Sequence, residues 1–530
     1  MSNRTFLKKQ QSHYPIGSVL VVSGVVKDGN YGKTFNDPII EKLDSHNSTI
    51  KSKSIGRLIS VYPLTSGITS DRFRNIIELV LPLTRLWRDP LDNLRLKALD
   101  LIPTHEALIQ IHKPENQDSL KSARKRLVFN EFLFLQLSLL LRRNQHKKNS
   151  APFFVGATSN DYLIKRFLKL LPFQLTKAQQ RVLKEIDHDL SLSEPMARLV
   201  QGDVGSGKTI LAITTLLKAV QSGWQGALMA PTEVLAQQHY KNLCKWLPEL
   251  HVTVDLLTSS TSKRKRKEIL SNLATGGLQI LVGTHSLIED SVVFSRLGVV
   301  VVDEQHRFGV NQRNYLLNKG LQPHLLSMTA TPIPRTLALS VHGDLDISQI
   351  DELPPGRSPV KTSIYKSTQR GEIYKIMKTT VSLGQQVYYV LPLVEESEKL
   401  DLRSAIDVYH ELTTGPFKDF KVGLLHGKLS PKEKEVVIRE FYSGKFQILV
   451  STTVIEVGID VPEASLIIID NADRFGLAQL HQLRGRVGRG TQSSKCILID
   501  SCKSTSARQR LEILVNSNDG FEISELDLRI

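Results

Sequence analysis

Apolar residues in this chain gather in short, separated runs whose spacing changes along the sequence. Between about 170 and 350, residues 227–230, 280–283, 299–302 and 325–327 are brief and mostly β-branched or aliphatic, with amphipathic helical segments between them. Such runs predict parallel strands covered by helices on both faces. From about 360 to 515 the pattern repeats at 387–390, 448–451 and 466–469. Between the two series lies Leu353-Pro354-Pro355-Gly356-Arg357-Ser358-Pro359, a linker whose prolines exclude a helix. The fold class is therefore α/β, with two parallel-sheet lobes facing a cleft. Residues 1 to about 60 are strand-like: 18–26 is rich in β-branched residues and runs into the turn signal Asp28-Gly29-Asn30. Residues from about 61 to 160 read as helical. Within them, 127–143 is almost continuously apolar, which predicts a helix buried between domains.

At 530 residues, and about 100–200 residues per domain, three or four domains are expected. Hydrophobic residues make up 41% and charged residues 23%, the balance of a soluble globular chain and not of a disordered one. Lys and Arg number 69 against 53 Asp and Glu, a formal charge of +16, which favours a polyanionic partner such as nucleic acid. Cys244, Cys496 and Cys502 cannot build a disulfide framework or a paired metal site, so a reduced, cytoplasmic setting is expected. The first eleven residues are polar and basic, unlike a secretory signal. The most apolar run, 132–141, is too short to span a bilayer and is flanked by Glu131 and Arg142-Arg143, so no membrane role is expected.

The chemistry concentrates at Gly202-Asp203-Val204-Gly205-Ser206-Gly207-Lys208-Thr209, a G-x-x-x-x-G-K-T phosphate loop. Its glycines let backbone N–H groups approach phosphate oxygens. Lys208 reaches the β- and γ-phosphates, and the Thr209 hydroxyl suits Mg²⁺. A strand over 197–201 and a helix over 210–220 place the loop at a helix N-terminus. The second lobe has no such loop. A four-valine strand delivers Asp303-Glu304 to the sheet edge where α/β folds bind ligands. There Asp303 would hold Mg²⁺, and Glu304 would orient and activate water. Gln179 precedes the loop and suits adenine. In the second lobe Arg486 and Arg489, three apart, would share one helical face and reach across the cleft as arginine fingers, or else meet a nucleic-acid backbone. Gln482 joins them as a catalytic candidate, and Arg484 is left open. Thr329-Ala330-Thr331 and the segment holding Gly458 and Asp460 follow strands and are candidate couplers; the last two also count as nucleotide-binding. Thr232, Thr284 and His285 end strands with groups suited to backbone phosphates. The cluster Lys263-Arg264-Lys265-Arg266-Lys267 is a solvated helix face first and a DNA contact second.

This motif set resembles superfamily 2 helicases. The stretches Asp303-Glu304-Gln305-His306-Arg307-Phe308-Gly309-Val310, Met328-Thr329-Ala330-Thr331-Pro332-Ile333-Pro334-Arg335-Thr336 and Gln479-Leu480-His481-Gln482-Leu483-Arg484-Gly485-Arg486-Val487-Gly488-Arg489-Gly490 narrow it to the RecG family of bacterial ATP-dependent DNA helicases. The resemblance implies two RecA-like lobes, at 161–352 and 353–515. They would be preceded by a partial β-barrel wedge resembling an oligonucleotide-binding fold (1–60) and a helical connector (61–160). Residues 516–530 would begin a coupling region. It also implies ATP and Mg²⁺ as cofactors, Arg335 among the DNA contacts, and branched DNA (stalled forks and Holliday junctions, in recombination and repair) as the partner. A monomer in the nucleoid, with single-stranded-DNA-binding protein as a further partner, follows from the same likeness. The wedge looks incomplete before residue 15, and the family's R-G-P-G stretch would follow Ile530, so the chain reads as a fragment or a split gene product. Two alternatives stay open: a DNA-binding ATPase core that does not unwind, and a transcription-repair coupling translocase, in which a Phe would replace Ser206.

Overall fold

In the computed structural model, the two apolar series become two parallel sheets. The structure describes residues 11–29, 32–43, 58–65, 67–147, 162–334, 337–338, 343–354, 359–392, 398–452, 461–488, 490, 492–501 and 505–529. The chain divides into two compact units, Met1–Ser138 and Leu139–Ile530.

The first unit opens with strands β1 (Val19–Gly29) and β2 (Gly32–Leu43), paired antiparallel from Val19 opposite Leu43 to Gly29 opposite Gly32, with a register shift between Ser23 and Val25. Helices Ser70–Val80, Asn93–Ala98 and Thr104–His112 follow. The fully buried Arg126 guanidinium is held by Asp89 and by the Thr104 hydroxyl, as a buried cation must be.

The helix Gln117–Lys147 contains the long apolar run. It is not buried throughout as expected: Phe132, Phe134, Leu137 and Leu141 are exposed. The reason is geometric. A helix turns every 3.6 residues, so an unbroken apolar run must place side chains on every face. No helix among the described residues is long and apolar enough to cross a membrane.

The second unit carries both lobes. Lobe 1 has β3 (Ala197–Gly202), β4 (Gln225–Met229), β5 (Val254–Leu257), β6 (Ile280–Gly283), β7 (Leu297–Val302), β8 (His324–Thr329) and β9 (Asp346–Ile350). They lie in the order β5-β6-β4-β7-β8-β3-β9, all parallel. Lobe 2 has β10 (Lys361–Lys366), β11 (Gln386–Val390), β12 (Val422–Leu425), β13 (Ile448–Ser451), β14 (Ala464–Ile469) and β15 (Lys495–Asp500), in the order β10-β15-β14-β11-β13-β12. Without β9, the two orders are the same topology.

Each sheet is a sandwich filling made by strict alternation. Val299 and Val301 of β7 enter one apolar cluster, while Val300 enters the cluster on the opposite face. Ile467 and Ile469 of β14 divide from Leu466 and Ile468 in the same way. A period of two with both faces covered explains why these strands carry nearly continuous apolar runs.

Candidate active site

The phosphate loop follows from β3 and from its glycines. Gly205 and Gly207 have φ of 81° and 87°, in the left-handed region where a side chain is strained. A Cβ on Gly207 would also lie 2.3 Å from Nε2 of Gln179. The helix Lys208–Gln221 then starts directly at the loop, so its first N–H groups point into the turn.

Gln179 lies in the helix Lys177–Leu190. It accepts from the Thr176 N–H at 2.9 Å and donates to the Ser206 carbonyl at 2.8 Å. Both polar ends are engaged, and the residue is buried. In this structure it braces the loop through these two bonds.

Asp303 stands at the end of β7. Its Oδ2 is 2.7 Å from Nε2 of His239, and its Oδ1 accepts from the Glu304 N–H at 3.0 Å. Burial by itself would raise the carboxyl pKa. The His239 hydrogen bond and charge, the Lys208 charge and the Glu304 N–H outweigh that and hold it below the usual carboxylate value. Glu304 sits in the left-handed region at φ 50°, a strained conformation for a non-glycine residue. That turn aims its carboxylate at the Ala330 N–H, 3.3 Å away. The Thr329 and Thr331 hydroxyls are 2.6 Å apart on either side. The segment read as a coupler is therefore bonded directly to the carboxylate read as the water activator.

Val204, Gly205, Gly207, Lys208, Thr209, Asp303, Glu304 and Ala330 line one cavity of about 190 Å³, and Arg486 of lobe 2 lines it too. Arg486 lies beyond the helix Leu477–Arg484, in the turn after it. The helix ends before it, with Gly485 as its C-cap. That glycine has its own reason: a Cβ there would lie 2.9 Å from Cβ of Val204. Its absence lets the lobe 2 backbone approach the phosphate loop. Gln482 is buried and does not line the cavity. Gly458, Asp460, Arg489 and Arg335 lie outside the described residues.

Gly202 ends β3, where a Cβ would meet the Ser206 hydroxyl at 2.6 Å. Asp203 points toward lobe 2. Its Oδ1 accepts from His481 Nε2 at 2.7 Å, and its Oδ2 accepts from the Gly520 N–H at 3.3 Å. Burial would raise its pKa, but His481, the Gly520 N–H and Lys208 together lower it. Arg484, left open by the sequence, donates to His481 Nδ1 and to the Leu514 and Ser517 carbonyls. It thus ties that helix to the end of the helix Thr505–Asn516 and to Ser517 just beyond it. Lys208 Nζ donates to the Gly202 and Asp203 carbonyls at 2.6 and 2.9 Å.

Thr232, Thr284 and His285 come together on a second cavity of about 620 Å³, opposite Ser430, Lys432 and Lys434 of lobe 2. Thr232 also caps the helix Glu233–Trp246 by accepting from the Leu235 N–H. In the basic cluster, Lys265 pairs with Asp255 and Arg266 with Glu289, which fits the solvated helix face.

His239 and His481 were missed because a lone histidine carries no local pattern. The sequence also carries an internal repeat. Asp303 through Gln312 reads D-E-Q-H-R-F-G-V-N-Q, and Asp470 through Gln479 reads D-N-A-D-R-F-G-L-A-Q. The repeat is structural. Asn471 is left-handed like Glu304, and its N–H bonds Asp470 as the Glu304 N–H bonds Asp303. In lobe 2, however, Asp470 is bonded by Arg370 at 2.7 Å and by the Tyr389 hydroxyl at 2.9 Å. Arg370 opens the helix after β10 just as Lys208 opens the helix after β3. An internal ion pair thus closes the copy of the site that lacks a loop.

A phosphate loop and acidic pair in one RecA-like lobe, faced by an arginine from a second lobe of the same topology, define a superfamily 2 helicase-type motor core. Residues 176–339 match the DEAD/DEAH box helicase family, and residues 372–491 match the helicase conserved C-terminal domain. The chain is 51% identical over 531 residues to the ATP-dependent DNA helicase RecG of Synechocystis sp., covering 100% of this chain and 63% of that protein. It is 45% identical over 537 residues to RecG of Bacillus subtilis, covering 100% of this chain and 76% of that one. The solved structure of RecG bound to a three-way DNA junction superposes with a TM-score of 0.76 at 38% identity, over 99% of this chain and 69% of that one. The helicase MrfA bound to DNA shares the fold alone, with a TM-score of 0.52 at 18% identity over 70% of this chain and 55% of that one. The chain belongs to the RecG family of ATP-dependent DNA helicases. It spans less than two thirds of the length of the Synechocystis relative.

Proposed function

We propose that the chain is an ATP-dependent DNA motor of the RecG type, acting on branched DNA such as stalled forks and Holliday junctions. One observation carries the reading: Arg486 from lobe 2 lines the same cavity as Lys208, Thr209, Asp303 and Glu304 from lobe 1. Hydrolysis then depends on lobe closure, which is how an ATPase becomes a motor. Lys208 and the loop N–H groups bind the triphosphate. Glu304, held by the Ala330 N–H, orients water. Arg486 meets charge developing on the γ-phosphate. Thr209 and Asp303, both lining the cavity, offer the hard oxygen donors that Mg²⁺ prefers, and Mg²⁺ bound there would neutralise phosphate charge.

The hydroxyls of Thr232 and Thr284, with Lys432 and Lys434 across the cleft, suit a DNA backbone. Thr232 begins the helix that carries His239, so one rigid element joins that groove to Asp303. Branched DNA as the substrate is supported by the similarity to RecG bound to a three-way junction.

The test is ATP hydrolysis by this chain with forked DNA, linear duplex and no DNA, beside strand displacement on a fork. Stimulation greatest with the fork, and abolished by Lys208→Ala and Asp303→Ala, is expected. Equal stimulation by linear duplex would refute the fork preference. Hydrolysis without displacement would leave a DNA-stimulated ATPase core.

A further inference from the structure

A third cavity, of about 630 Å³, lies between the lobe 1 helix Glu233–Trp246 and the lobe 2 helix Pro431–Tyr442. Gln238 and Asn242 line both it and the nucleotide cavity. They are four residues apart and so share one face of their helix. Two neutral side chains thus form the common wall between the two spaces. On the far side the lining is strongly basic: Lys241 and Lys245 from lobe 1, Arg439 from lobe 2. The carboxylate among its described lining residues, Glu435, is engaged by the Gln237 side-chain amide at 3.1 Å. Among the described residues, none of the three cations has a carboxylate partner.

Three cations lining one groove raise the local concentration of anions. The cavity next door is where hydrolysis would free inorganic phosphate while ADP still occupies the loop. An anion crossing a neutral wall loses hydration at substantial cost, and cations at the exit offset that cost. We propose that this groove is a phosphate site: inorganic phosphate leaves the nucleotide cavity between Gln238 and Asn242 and is received by Lys241, Lys245 and Arg439. The inference rests on the ATP hydrolysis proposed above. The same chemistry has a second source, because Val234, Glu435 and Ile438 also line the hydroxyl-bearing groove, and a DNA backbone phosphate could occupy the site.

The experiment compares the chain with its Lys241→Gln/Arg439→Gln variant. Acid quench measures ATP cleavage, a fluorescent phosphate sensor measures release, and fork affinity is measured across salt concentrations. Cleavage at the wild-type rate, with release slowed roughly tenfold and fork affinity unchanged, is the expected result. Release that follows cleavage as in the wild type overturns the proposal. So does weaker fork binding with a salt slope reduced by about one per lost contact, which would assign the groove to DNA. Absence of cleavage in the wild-type chain itself would instead refute the function proposed above, so the two failures are separable.

Discussion

His239 is the residue whose removal tests the site most sharply. It is buried, its Nε2 is 2.7 Å from Oδ2 of a buried Asp303, and its buried Nδ1 has no hydrogen-bond partner among the described residues. A carboxylate can only accept, so Nε2 carries the proton. Its side-chain polar contact among the described residues is therefore spent on holding Oδ2 of Asp303, beside the Glu304 N–H that holds Oδ1. His239→Leu keeps an apolar body of similar size and deletes the donor. A hydrogen bond to a charged group is worth about 1.5–3 kcal/mol, and each 1.36 kcal/mol is tenfold in rate. The expected loss in kcat is then roughly 10- to 150-fold, in line with the 10- to 100-fold effect typical of residues that orient metal-ligating groups. The assay is steady-state ATP hydrolysis titrated with Mg²⁺, with ADP affinity measured at the same Mg²⁺ concentrations. The half-saturating Mg²⁺ should rise in both readouts. His239→Gln, which restores an N–H at similar reach, should recover much of the loss. A leucine variant with wild-type kcat and wild-type Mg²⁺ dependence would refute the reasoning, provided thermal unfolding shows that it is folded.

The remaining predictions use other parts of the cleft. Arg486→Ala should lower kcat by about 10³–10⁵, the range for arginine fingers, with little change in ADP affinity; equal losses in both would mean that Arg486 only binds. Gly485→Val should approach the same loss without unfolding either lobe, because its Cβ would meet Val204 and hold Arg486 away; circular dichroism together with ATPase rates checks this. Asp203 and Asp303 both have folded pKa values below the ordinary 3.8. Their stabilisation should therefore be complete above about pH 4 and be lost as pH falls through the folded values. Urea midpoints measured against pH should fall more steeply for the wild type than for Asp203→Asn. Lys432→Gln/Lys434→Gln should weaken fork binding and reduce its salt slope by about one per lost phosphate contact.

Much of this protein was legible in its residues one segment at a time. Strands β4, β6, β7, β8, β11, β13 and β14 declare themselves because a strand with both faces covered carries a nearly continuous apolar run. The phosphate loop and Asp303-Glu304 declare themselves because their chemistry demands fixed residue types at fixed spacing. Four of the five missed strands in the lobes, β5, β9, β10 and β12, are the outermost of their sheets. An edge strand can carry polar residues such as Lys361, Thr362 and Ser363 of β10, and so it lacks the apolar signature.

Long-range approach is what only the tertiary structure decided. His239 meets Asp303 across 64 residues, and His481 meets Asp203 across 278. No local pattern encodes either contact, since each partner sits on an element ordinary in itself. The structure also shows which of two similar acidic turns lines the cavity beside the loop. Asp303 and Asp470 end equivalent strands in nearly the same local sequence. Arg370 satisfies Asp470 internally, whereas Asp303 lines the cavity that the phosphate loop and Arg486 complete. The sequence determined two similar folds, and the packing of one against the other determined where the site lies.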